Sequence, residues 1–206
     1  NENRLELFFQ PKKYLPTGNV IGVEALSRWP HHGNYILPSE FIPAMEQTGL
    51  IRPFTEWVLD TALCQLSEWR RSGFPISMAV NLSMYNLRDP QLPRMLSELI
   101  QKWEIEKGSL ILELTESAVF QDSGHMLETL TRLESMGVGL SIDDFGTGYS
   151  SLSYLKKLPI REIKIDQSFV HDMTTDKDDA IIVHSTIDLA HNLGMNVVAE
   201  GVESQE

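Results

Sequence analysis

Cysteine is nearly absent from this chain of 206 residues: Cys64 is the only one, so no internal disulfide can form, and a reducing cytoplasm suits the chain. Cys64 stands among Ala62, Leu63 and Leu66, the company of a small core residue. No run approaches the roughly 18 consecutive apolar residues of a membrane-crossing helix, and no signal-peptide pattern opens the chain. Positive charge is scarce, with 17 Lys and Arg against 29 Asp and Glu and a net charge of −12. Such a surface repels polyphosphate backbones and argues against nucleic acid polymers as partners. A small phosphate ligand stays open to it where metal ions invert the local field. The histidines, His31 and His32 included, lack metal-ligand spacing, so neither a zinc site nor a nucleophilic triad is indicated. Gly146 and Gly148 are not followed by a third glycine, because position 151 is Ser, and the dinucleotide fingerprint stays incomplete.

What is present is alternation. β-rich runs at Leu5–Gln10, Ile21–Leu26, Ile76–Ser83, Ser109–Thr115, Val138–Asp143, Glu162–Asp166 and Asn196–Glu200 are separated by segments with apolar residues at helical spacing. Val58, Ala62, Leu66 and Trp69 share a face between Phe54 and Arg71. A second helix is expected from Asp89-Pro90 and carries Leu92, Met95, Leu96, Leu99 and Trp103. A third carries Met126, Leu127, Leu130 and Leu133 and stops at Gly137. A fourth, from about Asp179, carries Ile182, Val183, Thr186 and Leu193 and stops at Gly194. Strand–helix alternation of this kind argues for a parallel β/α architecture, either a barrel or a doubly wound open sheet.

Strand parity favours the barrel. Alternate residues of a strand face opposite sides, and one face of each run is bulky and aliphatic. The other face carries Glu24, Asn81, Glu113, Asp143, Lys164 or Glu200, each expected near the C-terminal end of its strand, where barrel enzymes place their chemistry. Several carboxylates converging there would repel one another unless cations held them, and oxygen-rich sites suit Mg²⁺ or Mn²⁺.

Glu24-Ala25-Leu26-Ser27-Arg28-Trp29 resembles the signature of EAL domains, the cyclic di-GMP phosphodiesterases. The likeness continues through Val80-Asn81-Leu82-Ser83, Glu113-Leu114-Thr115-Glu116 and Asp143-Asp144-Phe145-Gly146-Thr147-Gly148-Tyr149-Ser150-Ser151. Ile163-Lys164-Ile165-Asp166 and Ala199-Glu200-Gly201-Val202-Glu203 complete it. The resemblance implies an α/β, TIM-like (β/α)8 barrel with an antiparallel first strand. It implies one domain over 1–206, reaching Glu206 without its eighth strand and last helix. It also implies hydrolysis of cyclic di-GMP to linear pGpG with two metals, Mg²⁺ or Mn²⁺, and inhibition by Ca²⁺. The contrasting expectation is a receptor that binds cyclic di-GMP without cleaving it.

Carried over residue by residue, the resemblance makes Glu24, Asn81, Glu113, Asp143, Asp144 and Glu200 metal ligands. Asp143 would be shared between two cations of the kind that lowers the pKa of a water. Lys164 would face the attacking water, or else pair with Asp166. Glu116 would anchor the loop after Asp144, and Glu200 would join the chemistry. Gln10, Leu26, Arg28, Asn81, Asp144 and Glu203 would contact substrate, Arg28 through a phosphate that its guanidinium fork fits. The expected partners are a second copy of the chain, meeting near a helix that starts at about Ser150 and carries Leu152, Tyr154, Leu155 and Leu158, and N-terminal sensory or GGDEF-type domains. The expected location is the cytoplasm, in a parent protein open to membrane anchoring elsewhere.

Overall fold

The computed structural model describes residues 5–120, 123–148 and 151–202. The chain divides into two compact units, Asn1–Leu112 with Met136–Val138, and Glu113–Ser135 with Gly139–Glu206.

The first unit opens on two long strands. β1 (Glu6–Tyr14) pairs antiparallel with β2 (Asn19–His31), which sets Gln10 opposite Glu24, Phe8 opposite Leu26 and Glu6 opposite Arg28. β2 then folds back on the short β3 (Asn34–Ile36). Its two turn residues, His32 and Gly33, have φ of 48° and 80°. Positive φ at both positions matches the twist of the flanking strands. α1 (Pro38–Thr48) follows and ends at Gly49. α2 (Ile51–Arg71) buries Ile51, Thr55, Val58, Leu59, Ala62, Leu63 and Leu66, a stripe at helical spacing. An edge-to-face chain of Trp29, Phe41 and Phe54, with centroids 5.7 Å apart at each step, ties β2 to α1 and α2. β4 (Ser77–Asn81) lies parallel to β2 and leads through α3 (Met84–Leu87) to α4 (Leu92–Lys102). Leu92, Leu96 and Leu99 of α4 are buried as their spacing requires. β5 (Leu110–Thr115) begins in this unit and places its last three residues in the second.

The second unit holds α5 (Glu116–Phe120), α6 (Ser123–Ser135), β6 (Gly139–Phe145), α7 (Leu152–Leu155), β7 (Glu162–Ile165), α8 (Gln167–Asp172), α9 (Lys177–Asn192) and β8 (Asn196–Ala199). β6, β7 and β8 run parallel in that order. α9 starts where the Asp176 carboxylate accepts from the Asp178 N–H at 2.8 Å and stops before Gly194, whose φ is 75°. An antiparallel lead pair followed by parallel pairs with helices between them is the TIM-like α/β class implied by the sequence.

Several expectations are corrected. β2 runs to His31 because β1 and β3 both pair with it, so Glu24 lies mid-strand. The second helix begins at Leu92, with Pro93 in its first turn, because the Asp89 carboxylate accepts from the Gln91 N–H and closes a turn before the helix. α1, α3, α5, α8 and β3 were not anticipated, being too short or too irregular to leave a periodic signature. α7 has four residues, and Leu155 and Leu158 are buried, so Leu152 is the exposed member of the four apolar residues expected to spare surface there. Ser150, the expected helix start, lies outside the described residues, as does Glu203.

Candidate functional site

In the first unit, the face of β2 that carries Glu24, Leu26 and Arg28 is half-buried, between the buried Val23, Ala25 and Ser27. Asn81, the last residue of β4, donates from Nδ2 to Glu24 Oε1 at 2.8 Å. Gln10 stands directly across from Glu24 on β1. The strand pairing therefore joins Gln10, Glu24, Leu26, Arg28 and Asn81 on neighbouring strands. Ser83, just after Asn81, donates to Glu46 of α1 at 2.5 Å and caps α3, which fixes the way the chain leaves β4.

In the second unit the chemistry centres on a buried lysine. Lys164 is 1% exposed, and its Nζ lies 2.7 Å from Glu200 Oε1, 3.0 Å from Asp143 Oδ1 and 3.2 Å from Glu113 Oε2. Three carboxylates share one ammonium, which leaves an excess of negative charge in a poorly solvated place. The alternative pairing of Lys164 with Asp166 is not formed. The Asp166 carboxylate instead caps α8, accepting from the Ser168 N–H at 2.9 Å and from its hydroxyl. Burial acts to raise the Asp166 carboxyl, but these two bonds, joined by a side-chain hydrogen bond with Asp144, outweigh it and hold the group below its usual range.

β6 solves a geometric problem. Neighbouring residues of a regular strand point to opposite faces, so Asp143 and Asp144 should diverge. The register with β7 shifts between Ile142 and Phe145, and Asp144 takes a φ of 54°. Asp tolerates this left-handed conformation better than most residues, and a bulge of this kind re-aims a side chain. As a result Asp143, Asp144 and Glu200 bring carboxylate oxygens within 4.8 Å of one another.

That crowding is legible in Asp144, whose carboxyl is pushed up to about 6, first by burial and then by the charges of Asp143, Asp166 and Glu200. The folded protein thus binds this proton more tightly than the unfolded chain does. The associated stability is fully present below about 3.8 and is lost as pH rises through about 6. In chelator-treated protein, Tm should fall across this window by more in the parent than in Asp144→Asn. A thermal melt series in EDTA checks it.

The loop after β6 is held from α5. Glu116, 2% exposed, accepts at Oε2 from the Gly146 N–H at 2.9 Å and from the Gly148 N–H at 3.2 Å. A side chain at Gly148 would set its Cβ 3.1 Å from Glu116 Oε1, so glycine is what permits this approach. Sequence reasoning missed Glu46, Ser83 and the capping role of Asp166. Glu46 shows no pattern beyond an isolated polar residue, and the motifs that contain Ser83 and Asp166 do not announce their capping bonds.

An α/β chain with an antiparallel lead strand, and with acids towards or just beyond the C-terminal ends of its parallel strands, belongs to the TIM-like class of architectures. The EAL domain family model matches residues 1–206, and the chain belongs to that family. It is 46% identical over 205 residues to the bifunctional diguanylate cyclase/cyclic di-GMP phosphodiesterase MucR of Pseudomonas aeruginosa, covering 98% of this chain and 30% of that protein. It is 40% identical over 206 residues to the cyclic di-GMP phosphodiesterase PA2567 of the same species, covering all of this chain and 35% of that protein. The chain therefore spans about a third of the length of these relatives. The solved c-di-GMP complex of the PaMucR phosphodiesterase superposes with a TM-score of 0.93 at 45% identity, over 98% of this chain and 82% of that one.

Proposed function

We propose that this chain is a phosphodiesterase domain that hydrolyses cyclic di-GMP to linear pGpG. The observation that carries the reading is the gathering of Asp143, Asp144 and Glu200 around a shared space. Support comes from a likeness that runs the whole length of the chain to proteins named for this activity and to a structure solved with the dinucleotide.

The donor set fits divalent cations. It is made of oxygens, it is crowded, and burial and like charge already disfavour the ionised form of Asp144. Asp143, Asp144 and Glu200 would hold one ion together, with Glu24, Asn81 and Glu113 as the remaining ligands. Mg²⁺ or Mn²⁺ supplies Lewis acidity and a lowered water pKa when bound. The residues do the rest. Lys164, held by three carboxylates, has an ammonium to offer to the attacking water or to phosphoryl oxygens. Arg28 offers paired donors to a phosphate. Gln10 and Leu26 would contact a guanine base. Glu116 sets the loop that follows Asp144. Glu203 completes the substrate contacts proposed. A homodimer, with Leu152 as the exposed apolar residue of α7, belongs to the same reading. So do upstream sensory or GGDEF-type domains and a cytoplasmic setting. Among the described residues no helix is long and apolar enough to cross a membrane.

The test is to incubate the purified protein with cyclic di-GMP and identify the product. In Mg²⁺ or Mn²⁺ the expected product is linear pGpG. In Ca²⁺ alone binding should persist without turnover, because a looser coordination sphere positions the attacking water poorly. Tight binding with no product in any of these metals would instead identify a receptor.

A further inference from the structure

We propose that Phe8 and Tyr35 form an aromatic seat that keeps Arg28 available to a phosphate of the substrate, which makes the β2–β3 hairpin part of the binding apparatus. The proposal rests on the reading of Arg28 as a phosphate ligand. It adds two residues that act through Arg28.

The geometry begins with pairing. Glu6 stands directly opposite Arg28 and Phe8 opposite Leu26, while Tyr35 of β3 stands opposite Pro30 of β2. Parity along β1 and β2 places Glu6, Phe8, Arg28 and Tyr35 on the same face as Gln10 and Glu24. An acid and an arginine directly across an antiparallel pair are natural ion-pair partners. Here they do not pair. The Tyr35 hydroxyl donates to Glu6 Oε2 at 3.3 Å. The Arg28 guanidinium instead lies 5.7 Å from the Phe8 ring centroid and donates from Nη1 to the Ser27 carbonyl at 2.9 Å. The Phe8 ring is steadied edge-to-face by Tyr35, with centroids 5.5 Å apart.

Other arginines behave differently. Arg52, Arg70, Arg94 and Arg161 each meet a carboxylate, on Asp89, Glu106, Glu98 and Glu134. Arg28 is seated on a ring that orients it and meets no carboxylate among the described residues, while Tyr35 engages Glu6, the acid directly across the strand pair. Phe8 and Tyr35 are 44% and 46% exposed, so both rings reach the surface from which a ligand would approach Arg28. An arginine kept in this state suits an anion with at least two oxygens to present, as a phosphodiester has.

The experiment measures cyclic di-GMP affinity in Ca²⁺ and KM and kcat in Mg²⁺ for one set of variants. Phe8→Leu should weaken binding about two- to fivefold, the worth of one exposed cation–π contact, with KM moving more than kcat. Phe8→Tyr, which keeps the ring, should bind like the parent. Tyr35→Phe frees Glu6 to pair with Arg28 and should weaken binding to a similar degree. Adding Glu6→Gln to Tyr35→Phe should restore it, an outcome that a purely structural role for the hydroxyl does not predict. On an Arg28→Gln background, neither Phe8→Leu nor Tyr35→Phe should cost anything further. Full additivity on that background, or failure of Glu6→Gln to restore binding, overturns the proposal. A parent that neither binds nor cleaves cyclic di-GMP overturns the functional reading itself, and is recognised before any variant is compared.

Discussion

Asp143→Asn and Glu113→Gln should each lower hydrolysis of cyclic di-GMP by at least about a thousandfold, the rate consequence of losing several kcal/mol of transition-state charge stabilisation. Fold and metal-free stability should survive. Lys164 faces three carboxylates, so the cluster carries more negative charge than its ammonium can offset. Neutralising one acid relieves that excess and leaves an amide oxygen that can still accept from Nζ. Metal-free Tm should therefore hold or rise while activity disappears, and this opposition of sign separates a ligand from a structural acid. Circular dichroism melts in EDTA beside product analysis in Mn²⁺ check both halves. Turnover near the parent rate in either variant would remove that residue from the proposed ligand set.

Lys164→Met should do the reverse to stability. Taking one partner from a buried ion pair leaves uncompensated charge and costs about 3–5 kcal/mol, which for a chain of this size corresponds to a fall in Tm of roughly 6–20 °C. Here the charge left behind belongs to Glu113, Asp143 and Glu200 together. Mg²⁺ or Mn²⁺ should then raise the Tm of the variant by more than it raises that of the parent, because an ion would offset charge that Lys164 offsets in the parent. Activity should fall as well, since the ammonium would no longer be present to meet water or phosphoryl oxygens. Melts with and without metal, on both proteins, decide it. A variant as stable as the parent in EDTA would mean that the three contacts contribute nothing net.

Much of this was legible from residues alone because it follows from period-two alternation. Glu113, Asp143 and Lys164 fall on one parity of their strands, opposite aliphatic residues that are buried as expected. The helical stripes of α2, α4 and α6 were equally clear. What was hidden breaks periodicity. The bulge that lets Asp143 and Asp144 face the same space cannot be inferred from alternation, which places them apart. The β2–β3 hairpin is three residues deep, too short for any pattern, and His-Gly is not a common sequence for such a turn. Lys164 was placed on the correct face, but its partners lie on other strands and at sequence separations of up to 51 residues. Asp166, two residues further along the same strand run, is the alternative partner in sequence, and its carboxylate caps α8 instead.

The ammonium at the centre of the acid cluster also bears on the order in which the protein is made. A site built only of acids would have to await its ion before the surrounding strands could close. With Lys164 in place, the newly synthesised chain carries an internal counter-ion for Glu113, Asp143 and Glu200, so the strands of this unit can close on one another without one supplied from outside.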